Sequence, residues 1–143
     1  MKHKILNDDE QKTYAVILGY NDKVIDSLLS FARTEHIKAA QFTAIGAFSE
    51  VTLGFFDFKI KDYKKIEIKE QVEVLTLAGD ISLFNNEPKV HAHVVLGKQD
   101  GTAHGGHLLQ ATVHPTLEII LTESPSFLER KLDHETGLAL IKI

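Results

Sequence analysis

The chain of 143 residues has no cysteine. That excludes disulfides and thiolate metal sites together. Arginine is nearly absent as well: of 16 basic residues only two, Arg33 and Arg130, are arginine, against 20 Asp and Glu, for a net charge of −4. DNA affinity rests largely on neutralised phosphates, and guanine is usually read by arginine. The composition therefore argues against a generally basic DNA-binding surface. No apolar run approaches the roughly 20 residues of a membrane-spanning helix. The opening "MKHKILNDDEQK" turns acidic where a signal peptide needs an apolar core, so a cytoplasmic location is expected. Hydrophobic content of 43% and charged content of 25% belong to an ordinary globular chain, and the length suits one domain over 1–143.

Apolar spacing divides the chain into one helix and many strands. "TYAVILGY" (13–20) is β-branched and aromatic, which predicts a strand. After it Val24, Ile25, Leu28, Leu29 and Ala32 recur every three or four residues and form one helix face. Asn21 or Asp22 supplies its expected cap. "AAQFTAIGAFSEVTLGFFDF" reads as two strands broken near Gly46 to Ser49. "KIKDYKKIEIKE" reads as a half-exposed strand or hairpin. "QVEVLTLAGDISLF" suggests a strand pair bent at Gly79-Asp80. "NNEPK" and "KQDG" are turns around the strand "VHAHVVLG". "HLLQATVHPTLEIILTE" predicts two strands kinked by Pro115. "SPSFLERKLD" reads as a short helix or loop, with Arg130 and Asp133 at ion-pair spacing, and "GLALIKI" closes the chain as a strand. The expected class is α+β: one domain with a largely antiparallel sheet, one main helix and short helices. Strand edges invite pairing with a neighbour, so an oligomer is expected.

Five of the eight histidines, His91, His93, His104, His107 and His114, fall within residues 90–114. A 25-residue window would hold about 1.4 by chance. In a strand His91 and His93 point to the same face, about 6.5 Å apart, within reach of one ion at metal–nitrogen distances of about 2.0–2.1 Å. If the KQDG hairpin is centred on Asp100, His107 lies across from His93 and the three rings share a face. A shift of one residue removes His107 from that face. His104 has the opposite parity and is a ligand only if Gly105-Gly106 breaks the strand; those glycines also allow a close approach by another chain or a ligand. A thiolate-free set of three histidines suits zinc, or another transition metal such as iron. Three protein ligands leave a coordination position open. The alternative keeps these histidines as packed sheet or interface residues without a metal. A cupin is excluded in detail, since the expected glutamate position is Gly97.

"EVLTLAGDISL", "PKVHAHVVLGKQDGTAHGGHL" and "VHPTLEIIL", in that order, together with "FTAIGAFSEVTLGFFD" and the tail "FLERKLDHETGLALI", resemble the PPC (plants and prokaryotes conserved) domain from about residue 10 to the C-terminus. The resemblance implies an antiparallel sheet flanked by helices and a homotrimer. It also implies a family whose prokaryotic members are described as predicted DNA-binding proteins, some of which look like metal proteins with histidines matching His91, His93 and His107. The plant members place this domain after an AT-hook. No R-G-R-P-like core for the A·T minor groove occurs here.

Three functions follow. The first is a metal-binding, homotrimeric module that takes a small ligand or supports regulatory assembly. The second is a metal-dependent hydrolase or lyase, with Glu118, Asp80 or Asp100 as acidic candidates for the base beside a metal-bound water; Asp80 and Asp100 also read as turn residues. The third is weak direct DNA binding through Lys59, Lys61, Lys64, Lys65 and Lys69, a stretch that Asp62 and Glu67 interrupt and that reads more readily as a solvated strand face.

Overall fold

A computed structural model describes residues 1–7 and 11–142. Among these the strands are β1 (Lys2–Asn7), β2 (Thr13–Leu18), β3 (Ala39–Asp57), β4 (Asp62–Ile68), β5 (Val72–Phe84), β6 (Glu87–Gly97), β7 (Ala103–Glu123), β8 (Glu129–Leu132) and β9 (Ala139–Lys142), with one helix, α1 (Val24–Thr34). The fold is thus mostly β. The short flanking helices expected from sequence do not occur among the described residues: "ERKL" is strand β8. Residue 10, where the resemblance begins, and residue 143 of the closing strand lie outside the described residues. β1 was not anticipated; it pairs antiparallel with β2.

The sheet runs β1-β2-β7-β3-β5-β8-β9, with β4 on β3 and β6 between β5 and β7. β3, β5, β6 and β7 therefore pair in a closed circuit, all antiparallel. Closure leaves these central strands without an open edge. Among the described residues the one parallel contact joins β5 to β8 through Leu83↔Glu129 and Phe84↔Arg130.

Three expected breaks are instead irregularities inside long strands. β3 continues through Gly46, whose φ of +152° and close approach to the Thr116 and Leu117 backbone leave no room for a β-carbon. Its pairing with β7 shifts register between Gly46 and Phe48, so the chain bends without ending. β7 likewise runs unbroken through the cis His114–Pro115 bond. β5 is one strand rather than two: its register shift falls between Val74 and Thr76, not at Gly79-Asp80.

Alternation builds the core. Tyr14, Val16 and Leu18 of β2 point inward and meet the helix face of Val24, Leu28, Phe31 and Ala32. Phe31 packs edge-to-face on Tyr14 at 5.2 Å. Burying such a ring contributes about 1.5–3 kcal/mol. The helix is not capped as expected. Asp22 accepts instead from the Gly19 amide at 2.9 Å, and the cap position is Lys23, which makes no side-chain capping bond. Gln110 of β7 accepts from the Ile25 amide at 3.1 Å. A helix start is thereby satisfied from a distant strand, which local sequence does not reveal.

The opposite face of the sheet carries Ile45, Leu75 and Ile120, all exposed. Ile45 is 60% accessible although it lies in the middle of β3.

Candidate metal centre

The β6–β7 hairpin sets the geometry. Its turn is closed by Lys98 and Gly101: the Gly101 amide donates to the Lys98 carbonyl at 2.9 Å, and the Lys98 amide donates to the Thr102 carbonyl at 2.9 Å. Asp100 accepts from the Thr102 amide at 2.9 Å and from its hydroxyl at 2.6 Å. Those bonds hold its carboxyl below the ordinary value and make it a turn residue rather than a free base. The resulting register pairs His93 with His107 and Leu96 with His104. It is the register centred on Asp100.

His91, His93 and His107 come together, each offering a ring nitrogen, all within 4.8 Å of one another. Their ring centroids are 5.1 Å (His91–His93), 5.2 Å (His91–His107) and 5.4 Å (His93–His107) apart. His104 is exposed near Thr102, 3.5 Å from its hydroxyl, and is not in the group.

Burial pushes the His107 imidazole down to about 4, and the neighbouring charges of His91, His93 and Lys89 push the same way. Burial and His91 also lower His93. Neutral imidazole is the metal-ligating form. His107 Nδ1 is buried without a hydrogen-bond partner among the described residues, and such an atom costs roughly 1–3 kcal/mol if left unsatisfied. A converging, partly orphaned set of nitrogens fits a divalent cation.

Two neighbours hold His107 in place. Tyr63 of β4 stacks on it, with centroids 4.6 Å apart and rings tilted by 22°. Gly54, paired with His107 and Lys65, makes room for that ring: a β-carbon there would lie 2.7 Å from Tyr63 Cδ1. Gly106 approaches the same backbone, since its own β-carbon would lie 3.1 Å from the Gly54 carbonyl oxygen. The glycine doublet therefore does serve close approach within the chain, Gly106 to β3 and Gly105 to β6, where its β-carbon would lie 3.0 Å from the Val94 carbonyl oxygen.

Asp80 is the acidic candidate that reaches the cluster. It sits across from His91 in the β5–β6 register, with Oδ2 3.5 Å from His91 Nδ1. Its other oxygen accepts from Arg130 Nη2 at 2.6 Å. Burial raises its carboxyl, but the bonds and charges of His91 and Arg130 outweigh this, and the net direction is down. Arg130 therefore pairs with Asp80, not with Asp133 as its spacing suggested. Asp133 accepts instead from the Thr136 amide and hydroxyl at 2.9 and 2.6 Å, and so closes the β8–β9 turn. Glu118 lines a separate cavity with Ile45, Leu75 and Pro115. Tyr63, Lys89, His91, His107, Arg130 and Leu138 border a cavity of about 150 Å³ beside the rings.

Sequence reasoning missed Tyr63, Arg130 and Ser82. The signal for Asp80 was present. Asn85 and Asn86, with φ of 52° and 64°, form a two-residue hairpin turn, and counting outward from it places Asp80 opposite His91. The lysine stretch is a surface feature: Lys64 and Lys65 are exposed, and Lys69 is 3.0 Å from Glu67.

Residues 7–125 match the model of the Plants and Prokaryotes Conserved (PCC) domain. A plant- and prokaryote-conserved protein from Pyrococcus horikoshii is 32% identical, with 99% of this chain and 95% of that one covered and a TM-score of 0.87. A protein from Archaeoglobus fulgidus named as metal-containing is 36% identical over 92% of this chain and 94% of its own, with a TM-score of 0.84. A Ralstonia eutropha protein named as a candidate DNA-binding protein is 34% identical over 91% of this chain and 90% of its own, at a TM-score of 0.86. No match is found among curated proteins. No helix among the described residues is long and apolar enough to cross a membrane.

Proposed function

This chain belongs to the Plants and Prokaryotes Conserved domain family, and from that premise we propose that it is a metal-binding module that works as a homotrimer. Its divalent ion, zinc or iron, is held by His91, His93 and His107. The observation that carries this reading is the convergence of three ring nitrogens within 4.8 Å. The orphaned His107 Nδ1 supports it, as does the metal-containing Archaeoglobus relative. The exposed apolar residues Ile45, Leu75 and Ile120 on the sheet face support assembly, because water-exposed apolar groups gain by burial against a second copy.

Three protein ligands would leave the ion an open position. A water there has a lowered pKa, which keeps the hydrolase or lyase reading alive. Asp80, the carboxylate in contact with the cluster, is already committed to Arg130, which favours ligand binding over general-base catalysis. Direct DNA binding, in the name of the Ralstonia relative, is the second reading. Lys64 and Lys65 on β4 would carry it, with a steep salt dependence.

Elemental analysis of tag-free protein, with His91→Ala and His107→Ala alongside, tests the first reading. About one zinc or iron per chain, lost in both variants, is expected. Metal-free protein that takes up none on reconstitution refutes it.

A further inference from the structure

His91 backs onto a polar layer of Asp80 and Ser82 from β5, to which the C-terminal hairpin β8–β9, beyond the matched residues 7–125, adds Arg130. The hairpin adds to the sheet by two parallel pairs and one bond from the Leu83 amide to the Leu128 carbonyl at 2.8 Å. From that footing it inserts Arg130, whose side chain is 5% exposed. Each of the three guanidinium nitrogens donates. Nε donates to Ser82 Oγ at 2.6 Å, Nη1 to the Ala139 carbonyl at 2.9 Å, and Nη2 to Asp80 Oδ1 at 2.6 Å. Ser82 Oγ in turn donates to Asp80 Oδ1 at 3.3 Å. The remaining Asp80 oxygen, Oδ2, faces His91 Nδ1 at 3.5 Å, an ion-pair distance longer than the roughly 2.7–3.2 Å of an ordinary N–H···O bond.

We propose that Asp80 and Arg130 are the positioning residues of the candidate centre: the hairpin's arginine fixes Asp80, and Asp80 fixes the tautomer of His91. This rests on the metal-binding reading above. An imidazole that donates from Nδ1 to a carboxylate keeps the lone pair of Nε2 free for a metal and becomes more basic there. Arg130 has only donors, so it holds Oδ1 and leaves Oδ2 as the acceptor for His91. Asp80→Asn separates these roles. Its single carbonyl oxygen stays with Arg130, so its NH₂ faces His91 Nδ1. That nitrogen must then accept, and the ring proton moves to Nε2, the wrong tautomer for ligation. Metal affinity and hairpin docking are coupled for the same reason, and the coupling acts equally in both directions.

The experiment is imidazole ¹⁵N NMR on metal-free wild type, Asp80→Asn and Arg130→Lys, with zinc affinity measured by chelator competition. Wild type is expected to hold the His91 proton on Nδ1 and Asp80→Asn on Nε2. Zinc affinity should fall about 10- to 100-fold in Asp80→Asn. Arg130→Lys keeps the charge but loses the fork; it should retain the tautomer, bind zinc more weakly than wild type, and exchange the β8–β9 amides faster. An unchanged tautomer in Asp80→Asn, or unchanged zinc affinity in both variants, overturns the proposal. If Asp80→Asn does not fold, Arg130→Lys decides: wild-type zinc affinity and wild-type amide exchange overturn it. A tautomer that switches in a protein binding no zinc would overturn the metal reading while leaving the Asp80–His91 contact established.

Discussion

Two clusters in this molecule are made from the same kinds of group, a cation, a carboxylate and a hydroxyl, and differ in burial and reach. Arg130, Asp80 and Ser82 lie beside His91, with Arg130 only 6% exposed and Ser82 fully buried. Lys23, Glu50 and Thr112 lie near the start of the helix. There Lys23 Nζ donates to Thr112 Oγ1 at 2.6 Å and to Glu50 at 3.2 Å, and Thr112 donates to Glu50 at 2.8 Å. The bond lengths are alike. The surroundings of the charges are not: Thr112 is buried, but the Lys23 and Glu50 side chains are about half exposed, at 47% and 51%. Water replaces any lost partner at the surface, whereas a buried guanidinium stripped of its carboxylate keeps an uncompensated charge. The buried set also reaches a functional group, His91, and the exposed set reaches only the helix entrance.

The largest test of that contrast is Asp80→Ala. It leaves Arg130 with Ser82 and the Ala139 carbonyl but no counter-charge. Breaking a buried pair from one side costs about 3–5 kcal/mol. The Asp80 side chain is 28% exposed, so the low end, about 3 kcal/mol, is expected, read as a lower urea midpoint at unchanged m-value. A loss below about 1 kcal/mol would mean that Arg130 finds water easily, and the two clusters would be energetically the same.

A smaller effect is expected from His107, which stands between the two extremes of burial. Its folded imidazole titrates near 4, chiefly because it is buried, against an unfolded value of about 6.5. Above about 6.5 both states are neutral and His107 contributes no pH dependence. As pH falls from there toward 4, the unfolded chain takes up a proton that the folded chain refuses, so stability drops. Below the folded value the loss levels off. Metal-free protein should therefore melt progressively lower between pH 6.5 and 4, and His107→Gln should flatten that dependence. The lowered Asp80 carboxyl acts in a separate window: its stabilisation is present above its unfolded value and lost on further acidification. A His107→Gln profile parallel to wild type between pH 6.5 and 4 would show that the ring is solvated in the folded state.

The contrast also explains what the sequence could show. Period-2 alternation and turn residues placed His91, His93 and His107 on one face, because a hairpin's register follows from its turn. The four-residue KQDG turn made that arithmetic possible, and the Asn85-Asn86 turn would have given Asp80 in the same way. Arg130 was beyond such counting. It reaches Asp80 through a parallel pairing of β5 with β8, and parallel contacts have no hairpin turn to count from. Its short-range spacing to Asp133 was the stronger local pattern, and Thr136 took that aspartate instead. The helix cap was hidden for a related reason, since Gln110 comes from β7. The breaks expected at Gly46 and Pro115 failed because a bulge bends a strand without ending its ladder.

The smallest effect, and the sharpest control, is Glu50→Ala. In the folded protein, bonds from Thr112 and Lys23 hold the Glu50 carboxyl below its ordinary value, yet its surroundings are solvent. Removing it leaves Lys23 bonded to Thr112 and to water, so no buried charge is stranded. The melting temperature should move within the error of measurement, and high salt should leave wild type and variant alike, because surface attractions of this kind are screened. Zinc affinity should be unchanged, since none of the three groups touches the histidines. If Glu50→Ala destabilised the protein as much as Asp80→Ala does, hydrogen-bond length rather than burial would be setting the energies. The exposed cluster would then have to be counted as part of the helix cap, with Lys23 and Thr112 holding the β7 strand against the start of α1 through their isolated bridge.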